Sequence, residues 1–95
     1  MGKLRIDTLG HFVSIDGVEL KLTPKEYELL LYFVQNKNIA LSREVLLNKL
    51  WGYDFFGDDR TIDTHIKMLR NNLGEYRDCI VTVRGMGYKF VEKTE

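Results

Sequence analysis

Six side chains between Arg60 and Asn71 have the types and the spacing to grip a polyanion. At about 100° per residue, Arg60, Thr64, Lys67, Met68 and Asn71 fall on one side of a helix, with Thr61 beside them. Arginine and lysine neutralise phosphate, and short hydroxyl and amide side chains exchange hydrogen bonds with phosphate oxygens or base edges. The opposite side carries Ile62, Ile66, Leu69 and Leu73, at spacings of four, three and four, and must face a core. A buried seam backed by cations and small polar groups suits a helix set in a DNA groove. A plain solvated helix has the same pattern, so the surrounding elements must decide.

Length and composition narrow the choice. Ninety-five residues make one domain with a single modest core, and an apolar fraction of 44% describes a folded protein rather than a disordered tail. The longest apolar run, Leu29 to Val34, is six residues and far too short to span a membrane. Charges and glycine break up the first twenty residues, which excludes a visible signal peptide. Met1-Gly2 has the look of a vector-encoded start, so the chain is read as a domain taken from a longer protein. One cysteine closes no internal disulfide, and His11 and His65 alone assemble no metal cluster. Cys79 is expected as a reduced, partly buried small hydrophobe in a cytoplasmic protein without cofactors.

The net charge is zero, but it is unevenly spread. Residues 60–91 hold six Lys/Arg and three Asp/Glu, a net +3, whereas residues 1–59 hold seven and nine, a net −2. Such a dipolar chain would turn only one side toward DNA.

The elements that must position that side follow from the period of the apolar residues. Residues 1–22 alternate with period two, and Asp16-Gly17 between Phe12–Ile15 and Val18–Leu22 predicts a tight hairpin in a small antiparallel sheet. Residues 23–74 read as three helices. Thr23-Pro24-Lys25-Glu26 offers a threonine cap, a proline in the first turn and a glutamate placed to complete a capping box. The first helix runs to about Gln35, with a Tyr27, Leu30, Leu31 and Val34 stripe and further apolar residues on its other sides. Ser42 caps a second helix over Arg43 to Trp51, with Gly52 as its stop. Asp59 could cap the third. Residues 79–91 read as a hairpin, Ile80–Val83 and Tyr88–Val91 joined by Gly85-Met86-Gly87. Gly85-x-Gly87 lacks the third glycine of a nucleotide-binding loop and opens no helix.

Sheet, three helices and a hairpin in that order is the α+β layout of a winged helix-turn-helix. The segments Leu22-Thr-Pro-Lys-Glu-Tyr-Glu-Leu-Leu30, Ser42-Arg-Glu, Leu50-Trp-Gly52, Arg60-Thr-Ile-Asp-Thr-His-Ile66 and Val81-Thr-Val-Arg-Gly-Met-Gly-Tyr88 make it specific. Across essentially the whole chain, the sequence resembles the C-terminal effector domain of OmpR/PhoB-type bacterial response regulators. The resemblance implies head-to-tail pairs on direct-repeat double-stranded DNA, with residues 60–73 in the major groove and the wing, 82–88, at the neighbouring minor groove. It implies that Arg60, Thr61, His65, Lys67 and Arg70 touch phosphates or groove edges, and that Thr82 and Arg84 anchor the wing. His65 can equally serve as packing. Trp51 is either core or an indole donor to phosphate, and Tyr88 is expected to be half structural, packing its ring at the hairpin base, and half a DNA contact. Gly85 and Gly87 supply the turn and close approach. Asp63 is expected to pair with Lys67 or Arg70 rather than to face DNA.

Met68 departs from the arginine or other polar residue that many relatives place there. A thioether cannot make arginine's bidentate contact to guanine, but it can pack on a thymine methyl. Thr61, Thr64, Met68 and Asn71 are therefore expected to read A·T-rich half-sites. The resemblance further implies RNA polymerase contact through the loop holding Tyr53, Asp54, Phe55, Phe56 and Asp58, and a receiver domain absent from this chain. Two rivals stand beside this reading. A winged helix used only for protein contacts would have no need of Arg60, Lys67, Arg70 and Arg84 together. An enzyme would need a nucleophilic or paired-carboxylate arrangement that the chain lacks.

Overall fold

The computed structural model describes residues 3–52 and 59–92. Strands β1 (Leu4–Asp7), β2 (Phe12–Ile15) and β3 (Val18–Glu19) form an antiparallel sheet in that order. Its second turn is the expected one: Asp16 and Gly17 both have positive φ, 52° and 82°, as a two-residue hairpin loop with the right twist requires. The third strand ends at Glu19, earlier than the alternation predicts. Leu20 still donates its N–H to the Val13 carbonyl at 2.8 Å, and Leu20 and Leu22 both pack against the core, which maintains their apolar spacing.

Helix α1 (Pro24–Gln35) begins as the sequence predicts, with Glu26 N–H donating to Thr23 Oγ1 at 3.1 Å. Glu26 does not complete the box. Its side chain is buried, and its Oε2 accepts from Asn72 Nδ2 at 2.7 Å, which ties α1 to the end of the third helix. The most deeply buried side of α1 is Leu29, Leu30 and Phe33, while Leu31, Tyr32 and Val34 are half-buried. The helix is thus covered nearly all round, as its sequence requires.

Strand β4 (Leu41–Ser42) leads directly into α2 (Arg43–Leu50), where Ser42 Oγ accepts from Val45 N–H at 3.1 Å. Helix α3 (Asp59–Leu73) follows, which places Asp59 within the helix instead of at its cap. Gly74, at φ 57°, ends α3. The sequence shows no sign of what comes next, a 3-10 segment over Gly74–Cys79 that buries Tyr76 and Cys79. There the Tyr76 hydroxyl accepts from Lys3 N–H at 2.8 Å, fastening β1 to the C-terminal half.

Strands β5 (Ile80–Val83) and β6 (Gly87–Phe90) then form the wing hairpin, and β4 pairs with β6 to give the sheet order β4-β6-β5. That third partner was not legible either. It depends on Gly87: a Cβ there would lie 2.2 Å from the Leu41 carbonyl oxygen. The two sheets and three helices share one core. Ile62, Ile66, Leu69 and Leu73 from α3 meet Leu29, Leu30 and Phe33 from α1, Leu46 from α2, and Ile80, Tyr88 and Phe90 from the wing.

Candidate nucleic-acid interface

Helix α3 divides as its period requires. The four seam residues are wholly buried, while Arg60, Thr64, Lys67, Met68 and Asn71 lie exposed on the other side, Met68 at 44%. Thr61, Asp63, His65 and Arg70 sit at the flanks, half-buried. The wing holds Thr82, Arg84 and Met86 exposed beside them, with Gly85 at φ 76° in its turn. Exposed cations, hydroxyls and two thioethers therefore share a surface formed by α3 and the wing.

Three expected contact residues are engaged inside the protein. Arg70 donates from Nε and Nη2 to the Ile80 carbonyl at 3.0 and 2.7 Å, and from Nη2 to Thr82 Oγ1 at 3.0 Å. It is a strut between helix and wing. Thr82 accepts that bond and keeps its own hydroxyl proton for an outside acceptor. Tyr88 is buried, and its hydroxyl donates to Asp63 Oδ1 at 2.6 Å.

Asp63 therefore corrects the sequence reading. Its carboxylate pairs with neither Lys67 nor Arg70 but with Arg43 Nε, at 2.9 Å, and with Tyr88. Nothing in the sequence pattern points to Arg43 at this site. It follows the Ser42 cap at the start of α2, and no local spacing links it to a residue twenty positions later. Burial alone would raise the Asp63 pKa, but the Tyr88 hydroxyl and the Arg43 guanidinium outweigh it and hold the carboxyl below its ordinary range. Burial, followed by the hydrogen bond to Asp63 and then its charge, pushes the Tyr88 phenol upward.

These shifts carry a pH dependence. A carboxyl depressed in the folded state stabilises the fold above its unfolded pKa, near about 4, and loses that contribution as pH falls through the lower folded value. The raised phenol contributes below about pH 10, and its contribution fades as pH rises through its higher folded value. Thermal midpoints measured between about pH 5 and pH 3 are expected to fall less in Asp63→Asn than in the native chain.

Trp51, half-buried at the end of α2, stacks edge-on against His65 with ring centroids 4.9 Å apart, and Lys25 Nζ lies 5.2 Å from the indole centroid. His65 Nδ1 lies 2.8 Å from the Thr61 carbonyl. A carbonyl only accepts, so Nδ1 carries the proton, and Nε2 donates to an anion only in the doubly protonated ring. Tyr53, Asp54, Phe55, Phe56 and Asp58 lie outside the described residues.

Among the described residues no group of acids, histidines and cysteines could hold a metal ion, and no helix is long and apolar enough to cross a membrane. Helices α2 and α3 with the hairpin beside them define a winged helix-turn-helix. The chain belongs to the family described as transcriptional regulatory protein, C terminal, which matches residues 17–90, and its relatives are OmpR/PhoB-type response regulators. It is 50% identical over 91 residues to the transcriptional regulatory protein ResD of Bacillus subtilis (strain 168), a match covering 92% of this chain and 38% of that protein. The chain thus spans well under half the length of the curated relatives it matches. Its fold superposes on the response regulator DrrB of Thermotoga maritima with a TM-score of 0.87 at 33% identity, covering 97% of this chain and 43% of that one. It matches the DNA-binding domain of Klebsiella pneumoniae RstA, solved in complex with RstA box, with a TM-score of 0.84 at 30% identity, covering 95% and 92%. These are transcription regulators, and the chain is not an enzyme.

Proposed function

We propose that this domain binds double-stranded DNA sequence-specifically as the output module of a two-component transcriptional regulator. Helix α3 lies in the major groove and the wing at the adjacent minor groove. The observation that carries the reading is the division of α3, a fully buried seam with Arg60, Thr64, Lys67, Met68 and Asn71 all exposed opposite it. Arg60, Lys67 and Arg84 neutralise phosphate, while Thr61, Thr64, Met68 and Asn71 meet base edges. Family membership supports head-to-tail pairs on direct repeats, control by a receiver domain, and polymerase contact through residues 53–58 in the cytoplasm.

With about three or four cationic phosphate contacts, affinity should fall roughly 40- to 150-fold between about 50 and 200 mM salt. A random-duplex selection is expected to return A·T-rich half-sites, and Met68→Ala to relax the preference at the position Met68 touches. Failure to bind any duplex in a salt-dependent way would end the DNA-binding reading. A guanine-dependent consensus indifferent to Met68→Ala would end only the specificity reading.

A further inference from the structure

We propose that Asp63 is a positioning residue that sets the angle of the wing against the recognition helix, and that it thereby governs specificity at some cost to overall affinity. The proposal rests on the DNA-binding reading above. Asp63 is an acid on a surface otherwise suited to phosphate, flanked one helical turn away by Arg60 and Lys67. A carboxylate there repels the duplex, so its presence calls for a compensating role.

The geometry supplies one. Asp63 Oδ1 receives both the Tyr88 hydroxyl, at 2.6 Å, and Arg43 Nε, at 2.9 Å. Two guanidinium groups lie near the Tyr88 ring, Arg70 at 5.4 Å and Arg43 at 5.9 Å from its centroid. Tyr88 pairs with Leu41 on one side and Thr82 on the other, and Thr82 is held by Arg70. One carboxylate thus joins the start of α2 and the middle of α3 to β6, while Arg70 holds β5 to the same helix.

The leverage is large. From Tyr88 to the turn at Met86 is two to three residues, roughly 7–10 Å of strand. About 10° of play at the base would move the tip by roughly 1–2 Å, against a minor groove only about 6 Å wide.

Two variants separate positioning from scaffolding. Tyr88→Phe removes the hydroxyl while keeping the ring and the net charge. Affinity for a selected site should fall about tenfold, with binding to random duplex unchanged. Asp63→Asn also removes the repulsive charge, so random-duplex affinity should rise roughly two- to fivefold while the specificity ratio falls by about tenfold or more. In both free proteins, heteronuclear NOE values at Arg84–Met86 should drop relative to those of α3. Parallel loss of specific and random binding, tracking lower thermal stability, would show the network to be scaffold only. Unchanged ratios and unchanged wing NOE values would also overturn the proposal. If the native chain itself binds no duplex, it is the underlying DNA-binding reading that has failed.

Discussion

Ile66→Ala is expected to cost about 2–5 kcal/mol of folding stability, while Lys67→Ala beside it should be almost neutral in that measure. Ile66 is completely buried in the core, so truncation removes apolar surface and leaves a cavity that the close-packed seam only partly fills. In a domain this small, whose total stability is about 5–15 kcal/mol, the loss should lower the unfolding midpoint by roughly 10 °C or more. Lys67 points the other way, into solvent. Its loss should leave the thermal midpoint in place yet weaken duplex binding and shallow the logarithmic salt dependence by about one unit. Calorimetry and fluorescence anisotropy on the two variants read these effects separately. Equal destabilisation by both would mean that α3 is buried on all sides.

Gly87→Ala should be nearly as damaging, through the backbone rather than the core. The added methyl would sit 2.2 Å from the Leu41 carbonyl oxygen and 3.0 Å from Ser42 Cα, both main-chain atoms that cannot rotate aside. Strands β4 and β6 must part, and overpacking of this kind costs about 1–3 kcal/mol. The loss should be local as well as global, because β4 leads into the Ser42 cap and Arg43. Hydrogen exchange at Leu41, Ser42 and Gly87 is expected to quicken more than exchange at Ile66 or Leu69. A variant as stable as the native chain, with those amides still protected, would show that the β4–β6 pairing is dispensable.

Much of the fold is legible because apolar period is a local property. The spacing of Ile62, Ile66, Leu69 and Leu73 places the buried seam of α3, and the Asp16-Gly17, Thr23-Pro24 and Ser42 signals mark real turns and caps. What the period cannot encode is which distant segment docks where. Helix spacing offered Asp63 a neighbour at Lys67, but exposed pairs four apart contribute only about 0.2–0.5 kcal/mol. Two oriented donors, Arg43 and Tyr88, arrive from other elements and take the carboxylate instead. Arg70 illustrates the same limit. Its type suits phosphate, yet the approach of β5 gives it the Ile80 carbonyl and Thr82. The 3-10 turn after Gly74 leaves no periodic trace in so short a segment, and β4 is only two residues long, defined by its partner rather than its own pattern.

The most direct test is an amide-resolved titration of the labelled domain with its selected duplex. Docking through α3 and the wing predicts shift changes concentrated at Arg60–Asn71 and Val81–Tyr88, weakening with salt, while β1 to β3 stay near their free positions. Changes centred on the N-terminal sheet, or a spectrum indifferent to DNA at low salt, would contradict it.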